Sequence, residues 1–174
     1  MTRIYLISML TLCIGCVNKI EDIKFTYSDN TVHDYGKEIK MQYFLKGNLE
    51  FELFTSEIQT VQSPKEKTLF PNGIQIFAYN KALDTIATIS SDFAIENKHN
   101  EIVEVKKNVI LKNNQQHQLS TEQLFWDRQN KIIYTDGFVT LKTKNQIIMG
   151  FGFTADQYFS TYSLSNIINK IFKK

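Results

Sequence analysis

Residues 119–149, LSTEQLFWDRQNKIIYTDGFVTLKTKNQIIM, repeat the stretch just before them. Moved back by thirty residues, they fall on residues 89–119 without a gap. Ser90 matches Ser120, Asn100 matches Asn130, Ile102 matches Ile132, Val109 matches Val139, Leu111 matches Leu141, Lys112 matches Lys142 and Gln116 matches Gln146. Apolar pairs fill in between, such as Ile89 with Leu119 and Val103 with Ile133. A period of this size means stacked units, none of which can bury its apolar face alone.

The units read as strands. Leu49, Phe51 and Leu53 alternate with Glu50 and Glu52, and Lys46-Gly47-Asn48 before them marks a hairpin turn. The cluster His33-Asp34-Tyr35-Gly36 reads as turn-like, residues 62–67 as a polar loop with Pro64, and Pro71-Asn72-Gly73 as a turn. Further turn clusters recur at 97–100, 106–108, 113–116, 127–130, 136–137 and 143–145. Such spacing predicts an antiparallel meander in a sandwich, jelly roll or rolled sheet. Lys142 belongs in water, which puts Val139 and Leu141 on the inner face; strict alternation then gives Met149, Phe151 and Phe153 one face and Gly150 and Gly152 the other. Leu164, Ile167, Ile168, Ile171 and Phe172 fall at helical spacing, so residues 163–174 are expected to close the chain as a short amphipathic helix ending in lysines.

The N-terminus carries one positive side chain, Arg3, followed by an apolar run over residues 4–14. That is too short to cross a hydrocarbon layer of about 30 Å as a helix, and it reads as a secretory signal. The run ends in Cys13-Ile14-Gly15-Cys16, where a small residue before a cysteine resembles the bacterial lipoprotein signal. Residues 1–15 would then be removed, Cys16 would be the lipidated first residue, and residues 16–34 would form a tether to a domain over 35–162. The competing reading is a Cys-x-x-Cys redox or metal pair, which belongs at the start of a helix beside a strand rather than at the end of a signal-like run.

Signals for catalysis are missing. A net charge of +2 with basic and acidic residues interspersed gives no footprint for nucleic acid. His33, His99 and His117 are far apart in sequence and form no metal-ligand pattern, and no nucleotide-binding glycine motif is present. No cofactor is implied. Glu122 and Asp127 could be drawn as an acid and base pair, yet Asp92 and Asn97 hold the matching positions one repeat earlier, as strand-edge structure would require. The positive signal is aromatic and aliphatic: two apolar walls that either close on each other as core or stay apart around an apolar ligand. Periodicity does not separate the two.

Ser120-Thr121-Glu122-Gln123-Leu124-Phe125-Trp126-Asp127, then Ile132-Ile133-Tyr134-Thr135-Asp136-Gly137-Phe138-Val139, then Gly150-Phe151-Gly152-Phe153-Thr154-Ala155-Asp156-Gln157 resemble the C-terminal half of the LptC family, the periplasmic component of the lipopolysaccharide exporter. Phe70-Pro71-Asn72-Gly73-Ile74 and Tyr35-Gly36 resemble its Bacteroidetes-like lipoprotein form. The resemblance spans residues 35–164. It implies a twisted antiparallel β-jelly roll, open along one side, that is not an enzyme. Such a protein receives lipopolysaccharide from an inner-membrane ABC transporter and passes it to an LptA-like periplasmic bridge protein. Leu124, Trp126, Val139, Leu141, Met149, Phe151 and Phe153 are then expected to line or underlie the acyl groove. Family members commonly carry a transmembrane helix at the N-terminus, where this chain has the lipoprotein-like signal. A structural or glycan-binding envelope lipoprotein with a closed core is the alternative, and a jelly-roll hydrolase dependent on Glu122 or Asp127 is a further one.

Overall fold

The computed structural model describes residues 32–62 and 65–173. The signal-like run, Cys16, the tether up to residue 31, and Ser63 with Pro64 of the expected polar loop lie outside the described residues. Eleven strands follow one another: β1 (Val32–Leu45), β2 (Asn48–Gln62), β3 (Glu66–Phe70), β4 (Ile74–Tyr79), β5 (Thr85–Ser91), β6 (Phe93–Asn97), β7 (Ile102–Asn113), β8 (Gln118–Asp127), β9 (Ile132–Lys142), β10 (Gln146–Asp156) and β11 (Tyr162–Phe172). All pairings are antiparallel, in the order β11-β10-β9-β8-β7-β5-β4-β2-β3-β6, with β1 added to β2 and β6 also paired with β7. The expected hairpin at Lys46-Gly47 is a two-residue turn with Leu45 opposite Asn48. Both turn residues have positive φ, 50° and 81°, which matches the twist of the flanking strands.

A row of breaks crosses nearly every strand at its middle. The ladder between β7 and β8 stops at Lys106 with Gln123 and resumes at Val109 with Thr121. The β8–β9 ladder skips residues 122–124 on one side and 135–138 on the other, and the β9–β10 ladder skips Gly152. Upstream, Pro71-Asn72-Gly73 separates β3 from β4 and Asp92 separates β5 from β6. The thirty-residue period is visible here, since Asp92, Glu122 and Gly152 stand at successive breaks. The clusters at 106–108 and 136–137, expected as turns, are breaks inside β7 and β9.

Each break interrupts backbone pairing, and polar side chains take over the orphaned groups, as buried backbone requires. Thr55 Oγ1 donates to Gly73 O at 2.9 Å, Thr121 Oγ1 to Phe138 O at 2.8 Å and Ser91 Oγ to Phe93 O at 3.1 Å, while Asn108 Nδ2 ties to the Asp92 side chain at 2.5 Å. Positive φ at Gly73, Lys107, Asn108 and Gly152 re-aims the chain at the same line.

The breaks divide the sheet into two layers joined by the strands themselves. Residues 51–54 of β2, β4, β5 and the adjoining halves of β7 to β11 form the first layer. Residues 59–62 of β2, β3, β6 and the remaining halves of β7 to β11 form the second. Phe51 of β2 and Trp126 of β8 lie four strands apart in the sheet order, which in a flat sheet means roughly 19 Å. Their ring centroids are 4.8 Å apart, so the layers pack face to face. Between them lie Leu53, Ile76, Ile89, Leu111, Leu119 and Leu141 from the first layer and Phe70, Val105, Leu124, Ile133 and Phe153 from the second, all buried.

Three expectations are corrected. Residues 33–36 are not a turn but part of β1, with Tyr35 opposite Gln59 and Gly36 opposite Ile58. The C-terminal amphipathic helix does not form; residues 162–172 are β11, paired with β10 from Tyr162 opposite Ala155 to Phe172 opposite Gln146. Its three isoleucines and two aromatics favour a strand, and β10 offers a free edge. The helical spacing arises because Ile168 is an unpaired bulge residue between Ile167 and Asn169, so apolar side chains fall on both faces. Finally, the β9–β10 ladder sets Gly152 alone against Asp136 and Gly137, and this bulge flips the alternation of β10. Phe153 and Ile148 face the core, whereas Met149 and Phe151 face outward.

Gly73 has φ +79°, and a Cβ there would stand 1.9 Å from Ser91 O. At Gly47, φ +81°, a Cβ would meet nothing within 4 Å. Gly47→Ala is therefore expected to cost about 1 kcal/mol, the strain of the backbone alone. Gly73→Ala should cost about 3 kcal/mol or more because the next strand must also shift. Denaturant melts of the two variants side by side check the difference.

Candidate functional site: an apolar interlayer space and two free edges

The interior between the layers brings together five of the seven residues expected to meet acyl chains. Leu124, Trp126, Val139, Leu141 and Phe153 are all buried in the core. Met149 and Phe151 are not with them: Phe151 is 41% exposed, and its ring meets Phe138 edge-on at 5.4 Å on the outer surface. Phe51, Leu53, Phe70, Ile76 and Ile89 are interior residues that the sequence reading left out, although the alternation around Glu50 and Glu52 already pointed Phe51 and Leu53 inward.

The space is packed. The cavity lined by Phe51, Ile76, Ala78, Ala87, Ile89, Trp126 and Gln157 has a volume of about 10 Å³, room for one water and not for an acyl chain. One end is capped by the β10–β11 loop, where Phe159 is fully buried against Phe153 and accepts a 2.7 Å bond from Asn113 Nδ2.

The two margins of the interlayer space differ. Along β1, Met41 and Tyr43 pack on the core, and the Arg128 guanidinium from the β8–β9 turn covers the Tyr43 ring at 5.5 Å. Arg128 Nη2 also pairs with Glu96 Oε1 at 2.6 Å. Burial, then the charge of Glu96, raises the pKa of the Tyr43 hydroxyl. Along β11 no such clasp exists among the described residues. Ile167 and Phe172 stand opposite Gly150 and Gln146, on the side facing the other layer, yet they are 56% and 69% exposed. The sheet is thus clasped at β1 and carries exposed apolar side chains at β11, and among the described residues both strands present an unpaired edge.

The polar groups serve the fold. Asp127 accepts from Asn130 N and Nδ2, both at 2.8 Å, which holds its carboxyl below the usual range and closes the β8–β9 turn. Glu122 sits exposed at a strand break. His117 packs against Tyr162 and Phe159, and no metal-binding cluster occurs among the described residues.

The described residues form a two-layer antiparallel jelly roll with a mainly apolar interior and two strand edges unpaired among them. Residues 4–169 match the family model described as lipopolysaccharide-assembly, LptC-related, and the chain belongs to that family. Comparison with the curated proteins finds no match. The protein accordingly acts in lipopolysaccharide transport, as a periplasmic component of the envelope export system and not as a member of an enzyme family. No helix of the described residues is long and apolar enough to cross a membrane.

The β1 edge carries a titratable fastening. Glu52 accepts from Lys40 Nζ at 2.6 Å, Gln42 Nε2 at 2.6 Å and Tyr79 Oη at 2.8 Å, tying β1 through β2 to β4. Lys40 first, then Gln42, lower the carboxyl pKa to about 2. Because the folded pKa lies below the unfolded one, this stabilisation is full above about pH 4.5 and fades as the pH falls toward 2. Hydrogen exchange should show β1 amides losing protection between about pH 4.5 and pH 2 relative to β8, and Glu52→Gln should remove that pH dependence.

Proposed function

We propose that the protein is a non-enzymatic carrier that accepts lipopolysaccharide from an inner-membrane ABC transporter and passes it to an LptA-like jelly-roll bridge protein in the periplasm. The observation that supports this most directly is the interlayer space itself, lined mainly by apolar side chains and flanked along β11 by the exposed Ile167 and Phe172. An acyl chain in water costs about 0.8 kcal/mol per methylene, so each chain of the glycolipid needs a cover worth roughly 10 kcal/mol between membranes. Leu124, Trp126, Val139, Leu141 and Phe153 supply that cover when the layers part. Met149 and Phe151, on the outer surface, belong to the groove only through the open margin, where they adjoin β11. The chain has no nucleotide motif, so the work of extraction comes from the transporter. Free edges at β1 and β11 suit strand addition to neighbouring units of a bridge.

Photo-crosslinking in cells tests the reading. A photoreactive residue at Leu124 or Leu141 is expected to give lipopolysaccharide adducts that vanish on ATP depletion, and one at Lys142 to give none. Adducts nowhere, in a folded protein, would establish the rival reading, an envelope protein with a closed core, which the small cavity favours.

The same reading places a lipid anchor on Cys16, holding the domain to the periplasmic face of the inner membrane. Two or more acyl chains make such an anchor stable. Cys16→Ser should leave the protein uncleaved or released from the anchor, seen as loss of radiolabelled palmitate and a changed electrophoretic mobility.

A further inference from the structure

Trp126 is the one tryptophan of the chain, and it is buried in the interior near the end of β8 that leads into the β8–β9 turn. It is 3% exposed, its ring lies against Phe51 of the facing layer, and its indole Nε1 is buried with no hydrogen-bond partner among the described residues. A buried indole N–H ordinarily finds an acceptor, and leaving it without one carries a desolvation cost that phenylalanine at the same place would avoid. The two other unpartnered buried atoms are differently placed: His117 Nδ1 belongs to a turn, and Arg128 Nε belongs to a guanidinium already paired with Glu96. Trp126 alone lines the small interlayer cavity, whose other polar side chains are Thr88 and Gln157.

We propose that Trp126 Nε1 donates a hydrogen bond to the linkage carbonyl of a bound acyl chain, fixing how deep the chain sits between the layers. The proposal rests on the carrier reading and adds its ligand chemistry. An otherwise apolar groove binds a hydrocarbon at any register along its length. One fixed donor breaks that degeneracy, because a chain is held best where its ester or amide oxygen reaches the indole. The cavity that Trp126 lines is only about 10 Å³ in the closed protein, so the layers must part before a carbonyl oxygen reaches the indole. Acylated glycolipids and glycerophospholipids share this linkage.

The test uses the full-length protein and two lysolipids with the same chain and headgroup, one ester-linked and one ether-linked, below their micelle concentrations. The ester is expected to bind about 3- to 10-fold more tightly, and Trp126→Phe to erase that preference. Ultraviolet resonance Raman of the single indole reads the same event in the unaltered protein, where the N–H band should shift with the ester and not with the ether. This arm decides the matter even where the variant does not fold. Equal affinities with an unmoved band overturn the donor while leaving the carrier reading in place. Binding of neither lysolipid, nor of lipopolysaccharide, overturns the carrier reading and the donor with it. Displacement of the ester by lipopolysaccharide assigns the position to the glycolipid path, and failure to displace it at saturation removes it from that path.

Discussion

The structure depends on keeping backbone groups satisfied where the strands bend. A sheet of eleven strands has two faces and, among the described residues, no helix to cover either, so it buries one by folding onto itself. Every long strand must then change layer midway, and each change breaks the ladder. Threonine and serine hydroxyls at the breaks bond backbone carbonyls there, and Gly73 and Gly152 admit the conformations and close approaches that the line of breaks demands. Everything else follows from this line: two layers, a shared apolar interior, and hairpin turns confined to the two ends.

The same construction leaves edges. A barrel would have closed β1 onto β11; here the twist carries them apart, with Arg128 and Tyr43 clasping one margin and nothing comparable at the other. An unpaired strand rich in isoleucine is an aggregation hazard in isolation. β11 tempers it with Lys170, the bulge at Ile168 and a bond from Lys173 Nζ to Thr143 O at 2.7 Å. The hazard and the use are the same physical property, since an edge that can recruit a strand is what a bridge of jelly rolls requires.

Much of this was legible in the sequence because repetition and turn chemistry are local. The thirty-residue period predicted stacked strand pairs, and the clusters at 97–100, 113–116, 127–130 and 143–145 are turns in the structure. The clusters at 106–108 and 136–137 carry the same residue types but mark bends, because composition reports where regular pairing stops and not whether the chain then reverses. Among the groove residues, Leu124, Trp126, Val139, Leu141 and Phe153 face inward as expected. Met149 and Phe151 do not, since the bulge that sets Gly152 alone against Asp136 and Gly137 reverses the parity of β10 before it. The same effect misled the reading of residues 163–174, where a bulged strand with apolar residues on both faces imitates helical spacing. A bulge has no periodic signature; only the partner strand reveals it.

A packed interior and a carrier function are compatible on energetic grounds. In the closed state the two walls remove each other's apolar surface from water. In a loaded state an acyl chain removes the same surface from water on both walls, together with its own. The exchange is apolar for apolar, so neither state need lie far below the other, and the balance rests on packing quality and on the few polar contacts that must break, chiefly at the Arg128 clasp. A deep, permanently open groove would bind the chain too well to release it, whereas a wall that recloses competes with the ligand at every position. Such competition favours onward movement once material arrives from one side only. On the proposed carrier reading, direction is imposed by a partner that hydrolyses nucleotide, and the jelly roll contributes a path of nearly even free energy.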